Sequence, residues 1–279
     1  MIIAFKENVE GVLLACSQLL DRPDHDLVFA KDLNELRDKI SFSGIEGEMK
    51  VVGFKPVANC SELAAGIFCK RKSSRMSQRD PGVERYIDLV LRHSSCNPAE
   101  LVHLICSCAG DANHLYSGKA LAGKRYYNYM RDVIRAYQKL CMFARPDLVN
   151  GILSVKVDSP HFIGDMFCRW LAGKNPDLPV YVVEKDIAWI GNGHYLGLEN
   201  FMTVRSSFVE HLSFSREDDE VDHLWDVYYD SQMIPSRRNK RHSKHLQPKS
   251  SASVSEMSRR DRYKVERGIA SCTLDRFNT

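Results

Sequence analysis

Apolar positions along this chain arrive in two rhythms, and the alternation between them predicts its elements. Ile2, Ile3, Ala4 and Phe5 form a short continuous run that reads as a strand. Val9, Val12, Leu13, Cys16, Leu19 and Leu20 then recur at helical spacing. Residues 27–30 and 49–54 read as second and third strands, so the first half is expected to be layered α/β or α+β. Residues 70–85 break the pattern, with Lys70, Arg71, Lys72, Arg75 and Arg79 standing among polar neighbours without periodicity. That stretch reads as a solvated connection or a second phosphate-contacting patch, and as a sub-boundary of the body.

From residue 83 to 143 the period is mostly that of a helix. Asn97 and Pro98 mark a helix start before Leu101, Val102, Leu104 and Ile105. Residues 126–143 make a longer helix with Met130, Val133, Ile134, Tyr137, Leu140 and Cys141 on one stripe. Tyr126, Tyr127 and Tyr129 have the chemistry to stack on bases, but tyrosines at this spacing favour core or interface packing. A β-rich pattern returns at 151–157. A helix over 160–172 follows, facing inward through Ile163, Met166, Phe167, Trp170 and Leu171. Residues 179–183 read as a buried strand that pairs with 187–190 across a turn at 184–186, and 201–204 as another strand. A last helix starts at Ser215, where the acids of 217–220 fit the first turns through the helix macrodipole; a metal site there is the alternative.

The fold expected is therefore mixed α+β: a small sheet with packed helices, a central helical section and a C-terminal arm. Length and composition suit it, since 279 residues with 44% hydrophobic and 27% charged are ordinary for a globular protein. No apolar run nears the roughly 18 residues needed to span a bilayer, and the N-terminus lacks a signal-peptide layout, so a cytoplasmic protein is expected. The nine cysteines fit that compartment as reduced thiols serving as small hydrophobes. They include no Cys-x-x-Cys pair and no cluster-binding run, so neither a metal nor a cofactor is expected.

Charge changes the picture. Of the 39 basic and 36 acidic residues, 12 and 4 lie in 236–279, a balance of +8; the remaining 27 and 32 leave residues 1–235 at −5. Three segments follow: an acidic body (1–235), a basic arm (236–249) and a flexible basic extension (250–279). In the arm, Arg237, Arg238, Asn239, Lys240, Arg241 and Lys244 suit phosphates and base edges, and Arg145 and Lys174 are candidates to line the same face. The alternatives are a solubilising tail and an arm that docks on the acidic body. Gly191, Asn192 and Gly193 are too few for a phosphate cradle and read as a turn.

The block Leu224-Trp225-Asp226-Val227-Tyr228-Tyr229, followed by Ile234-Pro235-Ser236-Arg237-Arg238-Asn239 and Leu246-Gln247-Pro248-Lys249, resembles the C-terminal signature of an uncharacterised bacterial family. That family is a domain of unknown function described as "probable DNA metabolism protein". Phe143-Ala144-Arg145, the stretch from Asp158 to His161, and Asn175-Pro176-Asp177 resemble it too. The resemblance spans residues 1–249, with the specific motifs after Phe143. The chain departs from the pattern where the family carries a His and this chain Gln138. It departs again where the family carries His-Phe and paired arginines and this chain Trp170-Leu171 and Gly173-Lys174. If those histidines are catalytic in relatives, this chain has lost or changed the activity; if they only shape the fold, little follows.

The resemblance implies a role beside a radical S-adenosylmethionine protein of DNA repair or modification. Three functions are therefore weighed. The first is a DNA-binding accessory protein that presents nucleic acid to that partner enzyme. The second is an enzyme acting on DNA bases or nucleotides, with Asp158, His161 and Asp165 as acid/base candidates; the plain reading of Asp158, Ser159 and Pro160 is a helix-start turn with His161 in the first turn. The third is a protein–protein adaptor with a basic tail.

Overall fold

The structure, a computed structural model, describes residues 1–43, 48–55, 59–68, 82–117, 121–144 and 146–210. It is a mixed α+β protein with two sheets. The chain divides into two compact units, Met1–Arg135 and Ala136–Thr279. The expected helix from Ser215, the arm and the extension lie outside the described residues, as do 70–81 of the expected linker.

The first unit opens with three parallel strands, β1 (Ile2–Lys6), β2 (Asp26–Ala30) and β3 (Met49–Val52), in the order β2-β1-β3. Ile2, Ile3, Ala4 and Phe5 are all buried, as a central parallel strand covered on both faces requires. Helix α1 (Val9–Asp21) crosses from β1 to β2, with the Asn8 side chain accepting a hydrogen bond from the Gly11 N–H at 2.7 Å. It buries Val12, Leu13, Ala15, Cys16 and Leu19, while Leu20 of the expected stripe is exposed, one helical step beyond the core-facing arc. Helix α2 (Leu33–Ser43) leads back to β3. β3 ends at Val52, before residue 54, because Gly53 turns the chain with φ +76°.

The helical section comprises α3 (Cys60–Phe68), α4 (Val83–Leu91), α5 (Pro98–Ser107), α6 (Asn113–Ser117) and α7 (Leu121–Phe143). Val83 already begins a helix, so residues 83–85 are not linker. Asn97 and Pro98 start α5 as expected: the Asn97 side chain accepts from the N–H groups of Ala99 and Glu100. Helix α7 begins five residues before the expected Tyr126. Ala122, Lys124 and Arg125 are good helix formers that add nothing to an apolar stripe. The division between units falls inside this helix.

Tyr126 is buried, and its hydroxyl donates to the Asn97 carbonyl at 3.1 Å and the Glu100 carboxylate at 3.2 Å. The packing reading of this tyrosine therefore holds. Tyr129 meets Tyr126 edge-on and stacks on His93, ring centroids 4.0 Å apart and 15° from parallel. Burial lowers the pKa of His93 below its usual 6.5, with Asp132 acting in the opposite sense. Because the folded pKa lies below the unfolded one, the neutral ring contributes stability that is full above about pH 6.5 and is lost as pH falls through the lowered value. Melting curves between about pH 7.5 and 5 should show this decline in the wild type, and His93→Phe should flatten it.

The second unit is built on the sheet β4-β5-β6-β7-β8. Its strands are β4 (Asp147–Val149), β5 (Ile152–Lys156), β6 (Val180–Glu184), β7 (Ile187–Gly191) and β8 (Phe201–Arg205). Asn150 and Gly151, both with positive φ, turn β4 back onto β5. β5 and β6 are parallel and joined by α8 (Gly164–Lys174); the other pairs are antiparallel, including β6 with β7 across Lys185 and Asp186 as expected. A short 3-10 turn (Gly193–Leu196) precedes β8, and α9 (Ser206–Glu210) ends the described residues. Among the described residues no helix is long and apolar enough to cross a membrane.

Candidate functional site

A parallel strand pair leaves its chemistry at the carboxyl ends of the strands, where the connecting helix begins. In the second unit that place lies at the ends of β5 and β6. The Val157 N–H still bonds to the Val183 carbonyl at 2.7 Å, after which the chain leaves the sheet. Asp158 is exposed, Ser159 buried, His161 half-buried and Phe162 exposed. Helix α8 starts only at Gly164, not at Pro160, so Asp158 and Ser159 are not its cap and His161 is not in its first turn. Ser159 instead accepts the His161 N–H on its own hydroxyl at 3.1 Å, a local turn that holds His161 against the sheet end. The Nδ1 of His161 is shielded from solvent.

The cap of α8 comes from elsewhere. Glu184, the last residue of β6, is 5% exposed, and its Oε2 accepts the Gly164 N–H at 3.2 Å. A carboxylate there meets the positive end of the helix dipole, which offsets part of the cost of burying it. Residue 164 must also lack a Cβ for a separate reason: one would sit 2.1 Å from the Trp189 ring. Asp165, in the first turn, adds a second acid at the same helix end. The structure thus assembles Asp158, Ser159, His161, Asp165 and Glu184 around one strand-to-helix corner. A buried carboxylate, an imidazole and a hydroxyl there have the donor and acceptor variety of acid/base chemistry.

Sequence reading missed Glu184 as part of this corner, and it gave Ser159 only a place in a helix-start turn. The available signal for Glu184 was an acid directly ending an apolar parallel strand. Its helix-capping role predicts that Glu184→Ala costs about 1–3 kcal/mol by stranding a buried N–H, while Glu184→Gln, which keeps an acceptor oxygen, costs clearly less. Urea titrations followed by circular dichroism measure both.

Of the cationic candidates only Lys174 lies among the described residues, and it does not join this corner. Lys174 is exposed in the last turn of α8, about 15 Å along the helix from Gly164. Arg145, Arg237, Arg238, Asn239, Lys240, Arg241 and Lys244 lie outside the described residues. At the carboxyl end of α8, the Asn192 amide donates to the carbonyls of Ala172, Asn175 and Leu178 at 2.9–3.1 Å. Asn192 is a turn residue, as read from the sequence, with φ +54°. It is also the clasp for this helix end. Among the departures from the family pattern, Gln138 and Gly173 are exposed, and Trp170 is half-buried and stacks on Phe167. A Cβ at residue 173 would meet open space.

The corresponding crevice in the first unit, between the ends of β1 and β3, is filled by backbone. A Cβ on residue 53 would sit 2.6 Å from Gly11 Cα, and one on residue 11 would sit 2.1 Å from the Lys6 carbonyl oxygen. The amino end of α1 is thereby packed shut against the turn after β3. Among the described residues, no three His, Cys, Asp or Glu side chains are grouped to hold a metal ion. The thiol of Cys168, on the buried side of α8 itself, is pushed up to about 12 by burial and donates to the Trp189 carbonyl, so it serves packing. No protein-family model matches the chain, and no curated protein is similar to it.

Proposed function

We propose that this is a cytoplasmic DNA-binding accessory protein of DNA repair or base modification, which holds nucleic acid for a partner enzyme of the radical S-adenosylmethionine type. The observation that carries the reading is the partition of charge: +8 in residues 236–279 against −5 in the rest. Such a segregated arm is attracted to a polyanion, while the acidic body repels it, so nucleic acid is directed to the arm. The resemblance carried by residues 224–249 supports DNA as the polyanion and supplies the partner class. Fluorescence anisotropy with labelled DNA, comparing the full chain with a chain lacking 236–279, tests it. Binding that falls steeply with salt and vanishes on truncation is expected; equal binding by both chains overturns it. An adaptor whose tail grips an acidic protein would instead keep its partner in a pull-down after nuclease treatment.

The second reading is an enzyme acting on bases or nucleotides. It is favoured by the buried Glu184 beside the Ser159 and His161 turn. Glu184→Gln retains an oxygen for the Gly164 N–H, so it separates chemistry from folding. A turnover of nucleotides or DNA bases that this variant loses while its melting point barely moves would support the enzyme. Turnover that survives in Glu184→Gln and in His161→Gln would end it.

A further inference from the structure

Helices α1 and α5 meet through two sulfurs. The Cys16 thiol, on the fully buried side of α1, donates to the Val102 carbonyl at 3.7 Å, one turn before Cys106 on α5. The Cys106 thiol donates to the carbonyl of Cys16 itself at 3.7 Å. Each sulfur reaches across to the backbone beside the other cysteine, so both lie in the same stretch of helix contact. A hydrogen bond with Cys16 lowers the Cys106 pKa, while burial, above all, raises that of Cys16. The other described cysteines, Cys60, Cys96, Cys108, Cys141 and Cys168, are all shifted upward, with burial the leading cause. Cys106 is only half-buried, so it is the member of the pair that a small oxidant can reach.

We infer that Cys16 and Cys106 are a peroxide-responsive thiol pair that closes to a disulfide joining α1 to α5. The Cys106 thiolate attacks one oxygen of a hydroperoxide; an S–O bond forms, the O–O bond breaks, and the departing oxygen leaves as water or alcohol with the proton Cys106 gave up. The Cys16 sulfur then attacks the sulfenic sulfur of Cys106. An S–S bond forms, the S–O bond breaks, and the hydroxide leaves as water with the Cys16 proton. The two sulfurs together lose two electrons, which the O–O bond receives. Residues 90 positions apart become covalently linked inside one unit, and the buried resolving thiol protects Cys106 from further oxidation.

The test treats the full chain with hydrogen peroxide, blocks remaining thiols with iodoacetamide and maps peptides by mass spectrometry without reductant. A Cys16–Cys106 linked pair, two hydrogens lighter than the separate peptides and split by dithiothreitol, is expected. Cys16→Ser should lose the link and accumulate sulfinic acid at Cys106; Cys106→Ser should lose the link and leave Cys16 unoxidised. Should a serine variant fold poorly by circular dichroism, the wild-type map decides alone. Over-oxidation of Cys106 without a link, links chiefly to other cysteines, or survival of both thiols would each overturn the inference.

Discussion

Gly53→Ala is expected to destabilise the first unit by about 2–4 kcal/mol and to lower its melting point by roughly 10 °C. Two costs combine. An alanine would be held at φ +76°, where side chains rarely sit. Its Cβ would also lie 2.6 Å from Gly11 Cα and 3.1 Å from Gly11 N, both backbone atoms that no rotamer change can move aside. Relief requires the turn after β3 to separate from the start of α1, which opens the contact beside the central strand. Gly173→Ala is the control, since it lies in a helix with open space around its Cα. It should be neutral or gain up to about 1 kcal/mol. Calorimetry on the two variants reads both signs, and a Gly53→Ala protein that melts with the wild type would mean the two glycines do not pack as described.

Neutralising Arg237, Arg238, Lys240, Arg241 and Lys244 together should remove most of the salt dependence of DNA binding. Each phosphate neutralised contributes a slope of about −0.9 in log K against log salt, so five contacts contribute roughly −4 to −5. Between about 50 and 200 mM salt, the wild type would then lose two to three decades of affinity, and the neutralised chain only a small fraction of that. Anisotropy titrations at four or five salt concentrations give the slopes directly. An unchanged slope would move the phosphate contacts off the arm and onto another part of the chain.

Much of the scaffold was legible because its signals are local. Ile2 to Phe5 are consecutive and apolar, as a central parallel strand requires, and Asn97 with Pro98 is a complete helix-start signal within two residues. Helix α2 was not legible: Leu36 is its one fully buried apolar side chain, with Ile40 only partly covered, too narrow a stripe to stand out among Glu35, Arg37, Asp38 and Lys39. The start of α8 was misplaced for a related reason. Pro160 offers a good first-turn residue, but the available cap is a glutamate twenty positions downstream that only the β5–β6 pairing brings near. Local sequence gives the turn chemistry of Ser159, whereas the side chain that closes the helix depends on tertiary contact. The same limit hid Asn192, whose three carbonyl partners come from the other end of that helix and the loop after it. Asp158, His161 and Asp165 were found because they are neighbours in sequence; Glu184 completes their corner because the sheet folds it there.

Helix α8 is held at its amino end by Glu184 and at its carboxyl end by Asn192, both supplied by the β6–β7 hairpin beneath it. Most surface helices fray from their ends, because terminal turns have only water to lose. Here the first and last turns cannot unwind without releasing side chains rooted in the strands, so end-fraying is coupled to opening of the hairpin. The crossover therefore behaves as one cooperative block with the sheet. Any ligand that comes to the turn at Ser159 and His161 meets a floor already set, and ordering α8 adds no entropic cost to its binding.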